Sequence, residues 1–128
     1  MDDNVIKRIK NDRFASYVGI ELLKVEKGYA LTEMKIKDIH MNGVDIVQGG
    51  AIFTLADFAF AAASNSRGFV TVGINVSISY FKPAKGTYIR AEAKEVSSSN
   101  RLCNYNVDIS DENNDLIARF HGTGYIKR

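Results

Sequence analysis

Apolar and polar residues alternate along this chain with two different periods, and the change of period divides it. Ile20 to Glu26 and Tyr29 to Lys35 are short runs rich in Leu, Val, Ile and Tyr, and they flank Lys27-Gly28. They predict two strands around a turn. From Gln48 to Ala63 the chain turns almost continuously apolar, with Ala, Leu and Phe dominant and no proline. That predicts a helix of about four turns, stopping near Arg67-Gly68, where glycine suits a C-cap. Val70 to Tyr80 then alternates without a break. Val70, Val72, Ile74, Val76, Ile78 and Tyr80 fall on one face, and Thr71, Gly73, Asn75, Ser77 and Ser79 on the other. This is the signature of a strand with one buried face. Thr87 to Val96 alternates more weakly through Ile89, Ala91 and Ala93. Leu102 to Ser110 sets Cys103, Tyr105, Val107 and Ile109 on one side, and a last strand does the same with Ala118, Phe120 and Gly122 after a polar turn at Asp111–Asp115. Asn4 to Lys10 reads as a short amphipathic helix, and Lys37 to Val47 as a polar connection.

These elements imply an α+β architecture: one long central helix laid across the apolar face of a curved, mainly antiparallel sheet of five or six strands. Residues 1–128 are expected to form a single domain around one core. The edge strands of such a sheet are commonly capped by another subunit. The helix is apolar nearly all round, so it should be buried. Its one acid, Asp57, would then be a buried carboxylate, which costs several kcal/mol or is forced neutral unless it has a partner or a task.

Composition narrows the chemistry. The net charge of +2 comes from basic residues interleaved with acids, which is no footprint for nucleic acid. The single cysteine, Cys103, excludes an intrachain disulfide and fits a cytoplasmic protein. Met1-Asp2-Asp3-Asn4 lacks signal-peptide order, and no run reaches the ~20 apolar residues of a membrane span. Two histidines and one cysteine give no zinc-ligand spacing, and neither a nucleophile elbow nor a phosphate loop is present. A zinc site is not expected.

The helix itself offers the chemistry. Gly49 and Gly50 allow close backbone approach, and the free N–H groups of a first helical turn can stabilise an oxyanion; a simple tight turn would use the same glycines. Thr54, Ala61 and Ser64 share the face of Asp57, making a small-and-polar stripe that suits a catalytic acid, a satisfied buried acid or a close helix contact. Asp57 lies eight residues beyond Gly49, about 12 Å along a helix. One helix therefore serves both roles poorly at a single carbonyl. Two antiparallel helices across a two-fold axis serve well, each Asp57 meeting the other subunit's Gly49. His40 and Asn42 precede the helix, the histidine as a loop side chain open to solvent or as a base, the asparagine as a donor or a turn former. Lys82, Lys85 and Arg101 are loop cations that could meet an anionic ligand or simply be solvated charge.

The run Asn42-Gly43-Val44-Asp45-Ile46-Val47-Gln48-Gly49-Gly50, followed by Leu55-Ala56-Asp57, resembles the signature of hotdog-fold thioesterases, most closely the phenylacetate-degradation (PaaI-type) branch. Asn75-Val76-Ser77-Ile78-Ser79-Tyr80-Phe81-Lys82-Pro83-Ala84 is similar to that family's strand leading into a Pro-Ala turn. The resemblance implies a helix wrapped by an antiparallel sheet, a homodimer and often a homotetramer, and cofactor-free hydrolysis of acyl-CoA thioesters. It makes Asp57 the catalytic carboxylate, as general base on water or as nucleophile, and the Gly49 N–H the group that polarises the thioester carbonyl. Asn42, Gln48, Gly50 and Thr54 become substrate contacts, and the apolar lining suggests an aryl or medium-chain acyl group. Two departures stand out. The family commonly has His-Gly-Gly where this chain has Gln48-Gly49-Gly50, and Gln carries no titrating proton. Some relatives place a Ser or Thr in the strand after the helix, where this chain has Gly73, with Thr71 nearby. The alternatives are an acyl-CoA-binding or sensing module, motivated by Gln48, and an acyl-thioester dehydratase or hydratase using His40 with Asp57, whose proline-rich histidine segment is missing here.

Overall fold

Two short helices, α1 (Asp3–Lys10) and α2 (Arg13–Tyr17), open the chain in a computed structural model that describes residues 1–128. Each starts on an aspartate. Asp2 accepts from the Asn4 N–H, and Asp12 accepts from the Ala15 N–H at 3.0 Å, as N-capping requires. Strands β1 (Ile20–Glu26) and β2 (Tyr29–Lys35) follow, then a single 3-10 turn (Asp38–His40) and the long helix α3 (Gly49–Asn65). β3 (Val70–Tyr80), β4 (Tyr88–Ser98), β5 (Leu102–Asp111) and β6 (Leu116–Lys127) complete one six-stranded sheet, ordered β1-β2-β4-β5-β6-β3 and antiparallel throughout. The α+β hotdog arrangement expected above is the one observed. The periodicity did not separate α2 from the loop, because five residues are too few to display a helical repeat.

The inner sheet face and α3 form the core. Ala56, Ala59, Ala62 and Ala63 on the helix are fully buried against small partners such as Ala91 and Ala93 on β4. Short side chains on both surfaces let helix and sheet approach closely, as dense packing demands. The bulk sits beside this seam. Phe60 stacks edge-on against Tyr105, ring centroids 5.8 Å apart, and lies 5.8 Å from Phe120. A Cβ at Gly73, Gly122 or Gly124 would come within 3.4 Å of the Phe60 ring or closer. Glycines on β3 and β6 thus make the socket that Phe60 fills.

β3 corrects the strict alternation read from its sequence. Gly73 pairs with Gly124, but Asn75 pairs with Thr123, so Ile74 is an extra residue in a bulge. The bulge reverses the faces. Before it, Thr71 is buried and Val70 and Val72 point out, exposed at 41% and 44%; the bulged Ile74 is exposed at 58%. After it, Val76 and Ile78 pack on the core. β3 is also an edge strand, so an apolar stretch lies bare along the sheet's rim.

α3 is likewise uncovered along one stripe. Gly50 and Asp57 are exposed and Phe53, Thr54 and Ala61 only half-buried. The expectation of a fully buried helix with a buried Asp57 is therefore not met within one chain. The sheet covers the helix from one side only, and the stripe carrying Asp57 faces away from it.

Candidate active site

The connection before α3 is more ordered than its polarity suggests. Asn42 Oδ1 accepts from the N–H groups of Val44 at 2.9 Å and Ile46 at 3.3 Å, and Met41 bridges to Val47. The Gln48 N–H then bonds the His40 carbonyl at 2.8 Å. Asn42 thereby shapes a tight loop with its oxygen, while its amide nitrogen takes no part in those two bonds. His40 departs from the expected solvent-facing loop residue. It is 3% exposed; Nδ1 accepts from the Lys37 N–H at 2.9 Å, and Nε2 lies 2.6 Å from the Val18 carbonyl. Both ring nitrogens are thus committed to backbone groups. The ring ties the connection to α2, which leaves the dehydratase reading without a free histidine near the helix. His121, on the outer sheet face, bonds Asn106 Oδ1 at 2.8 Å.

Gln48 is the N-cap of α3, with extended backbone (φ −62°, ψ 139°) and no capping bond from its side chain. The first helical amides to bond a carbonyl are Ala51 at 3.0 Å and Ile52 at 3.2 Å, both on the Gln48 oxygen. The Gly49 and Gly50 N–H groups are left as the open donors of the helix start, where the macrodipole concentrates positive charge. A cleft of about 440 Å³ lies against Gly49, lined by Asn42, Gly49, Ile52, Tyr80, Phe81 and Lys82 among others. Asn42 and Gly49 thus come together as expected. Lys82, at the cleft, is held by Asp115 at 2.8 Å, and Arg101 donates to the Tyr125 hydroxyl at 2.8 Å.

Asp57 lies two helical turns away on the bare stripe and does not line that cleft. Thr54 shares its face, with its hydroxyl donating back to the Gly50 carbonyl at 2.8 Å. Asp57 is exposed, yet nearby protein atoms desolvate its carboxylate enough to push its pKa above the ordinary 3.8. Desolvation is the larger cause and the charge of Asp12, on the α1–α2 junction, the second. Asp12 is a neighbour that sequence spacing could not reveal, since it lies 45 positions before Asp57. Tyr80 is a second omission: as the last residue of β3 it looked like one more member of the apolar face. Its hydroxyl instead donates to the Gly49 carbonyl at 2.9 Å.

The model of the Thioesterase superfamily matches residues 45–118, which contain the helix start, Asp57 and Tyr80. The chain belongs to the thioesterase superfamily. A protein of Archaeoglobus fulgidus is 43% identical over 91% of this chain and 76% of its own length. The acyl-coenzyme A thioesterase PaaI of Escherichia coli is 29% identical over 91% of this chain and 84% of its own. The solved structure of the Escherichia coli PaaI protein superposes with a TM-score of 0.93, covering 98% of this chain and 91% of that one at 27% identity. The superfamily member described here is accordingly PaaI-type in fold and sequence.

Proposed function

We propose that this chain hydrolyses acyl-coenzyme A thioesters at sites shared between two subunits. The observation that carries the reading is the split of the chemistry along α3: open amide donors at Gly49 and Gly50, and a carboxylate of raised pKa two turns away on a bare stripe. A second copy whose α3 runs antiparallel across that stripe brings Asp57 of one subunit to the helix start of the other. The apolar rim of β3 gives such a copy a further surface to cover. The likeness to the Escherichia coli acyl-coenzyme A thioesterase supports the substrate class.

In this mechanism the thioester carbonyl oxygen takes the Gly49 N–H, while Asn42, Gln48, Gly50 and Thr54 border the acyl thioester. Asp57 removes a proton from water as its oxygen attacks the carbonyl carbon. The tetrahedral oxyanion is held by the helix start. Its collapse breaks the C–S bond, and coenzyme A leaves as the thiolate. Neither histidine is needed, which agrees with the occupied ring of His40 and with Gln48 at the N-cap.

Free-thiol release from a panel of aryl- and alkyl-acyl-CoAs tests the reading on wild type beside Asp57→Asn. Removal of the base is expected to cost about 10²–10⁴-fold in turnover. Tight, saturable acyl-CoA binding with no turnover by either protein would establish a binding module instead.

A further inference from the structure

The peptide joining Gly49 to Gly50 lies in the first turn of α3, and two glycines in succession make that turn easy to fray. Because a peptide is planar, its carbonyl and its N–H point in opposite directions and turn together. Whatever holds the Gly49 oxygen therefore aims the Gly50 hydrogen. The Tyr80 hydroxyl holds that oxygen at 2.9 Å, from the end of a strand on the neighbouring sheet edge. The contact is close along the whole phenol: a Cβ placed on Gly49 would lie 3.2 Å from both Cζ and Oη of Tyr80. Glycine at 49 is what lets the ring reach the backbone.

We propose that Tyr80 is a positioning residue for the oxyanion site: its hydroxyl pins the Gly49–Gly50 peptide so that the Gly50 N–H joins that of Gly49 as a second, preset donor. Donation to a peptide oxygen also polarises the opposite N–H, since linked hydrogen bonds strengthen one another. Tyr80 is half exposed at the same cleft, and burial of the rest pushes its pKa up, which keeps the donating proton in place. Two glycines in succession weaken the first helical turn that fixes this donor, and preorganisation is what gives an oxyanion site its effect. The catalytic consequence rests on the thioesterase reading; the contact and its effect on Gly50 do not.

Tyr80→Phe keeps the ring and removes the hydroxyl. The variant is expected to lose about tenfold in kcat, less than deletion of a direct oxyanion donor costs, with KM within about twofold of wild type. Its Gly50 amide proton resonance is expected to move upfield. Gly49→Ala crowds Oη and should give a similar loss of kcat in wild type but a much smaller one on top of Tyr80→Phe, the non-additivity of groups acting together. Unchanged kcat, or a loss that merely follows the folded fraction, would overturn the proposal. If wild type hydrolyses no thioester, the thioesterase reading fails by itself, and the Gly50 resonance decides the role of Tyr80: an unmoved signal overturns it.

Discussion

Asp57 carries the account at the scale of single residues, and its surroundings set the pH at which it can work. Desolvation and the negative charge of Asp12 both disfavour its ionised form. In the proposed role of general base Asp57 must be ionised, so kcat/KM should rise with pH through a midpoint above the ordinary carboxylate value. Asp12→Asn removes the second cause and keeps an acceptor for the Ala15 N–H. That variant should shift the acidic limb to lower pH with its plateau retained, measured as kcat/KM against pH. A limb that stays in place would dissociate Asp12 from the site. Asp57 was visible in the sequence because one acid interrupts an apolar run, whereas its exposure was not. Composition says that a helix is apolar all round; only the assembled sheet shows which side it leaves bare. His40 misled in the opposite direction, since a polar segment hid the two backbone groups that bury its ring.

At the scale of elements, the strands were legible wherever one face alternates without interruption. β1 and β2 run over Ile20–Glu26 and Tyr29–Lys35, and the inward residues of β4, β5 and β6 are those the pattern selected. β3 failed at Ile74, where an added residue reverses the faces and period-two counting cannot register the slip. That bulge lies beside the glycine socket of Phe60, so strand irregularity and helix packing form one feature. Gly122 tests it. A Cβ there would lie 3.0 Å from atoms of both Phe60 and Phe120. Gly122→Ala should destabilise the fold by about 1–3 kcal/mol through overpacking, read as a fall in the denaturation midpoint at unchanged m-value. An unchanged midpoint would mean that the two rings can move aside freely.

For the whole molecule, the proposed mechanism divides the catalytic parts between subunits. The two-turn separation of Gly49 and Asp57 was already readable from spacing on a helix; the uncovered stripe of α3 and the apolar rim of β3 were not, because both depend on where the sheet ends. Subunit mixing tests the division directly. Gly49→Pro deletes one donor N–H at the first helical position, where proline is accepted, and Gln48 already has the extended backbone that precedes proline. Each of Asp57→Asn and Gly49→Pro should be nearly inactive alone in thiol release from an acyl-CoA. Co-refolded in equal amounts, they should recover roughly a quarter of wild-type activity, since half the dimers are mixed and each of those holds one intact site. No recovery from a demonstrated mixed dimer would contradict the shared site and place both groups in the same subunit.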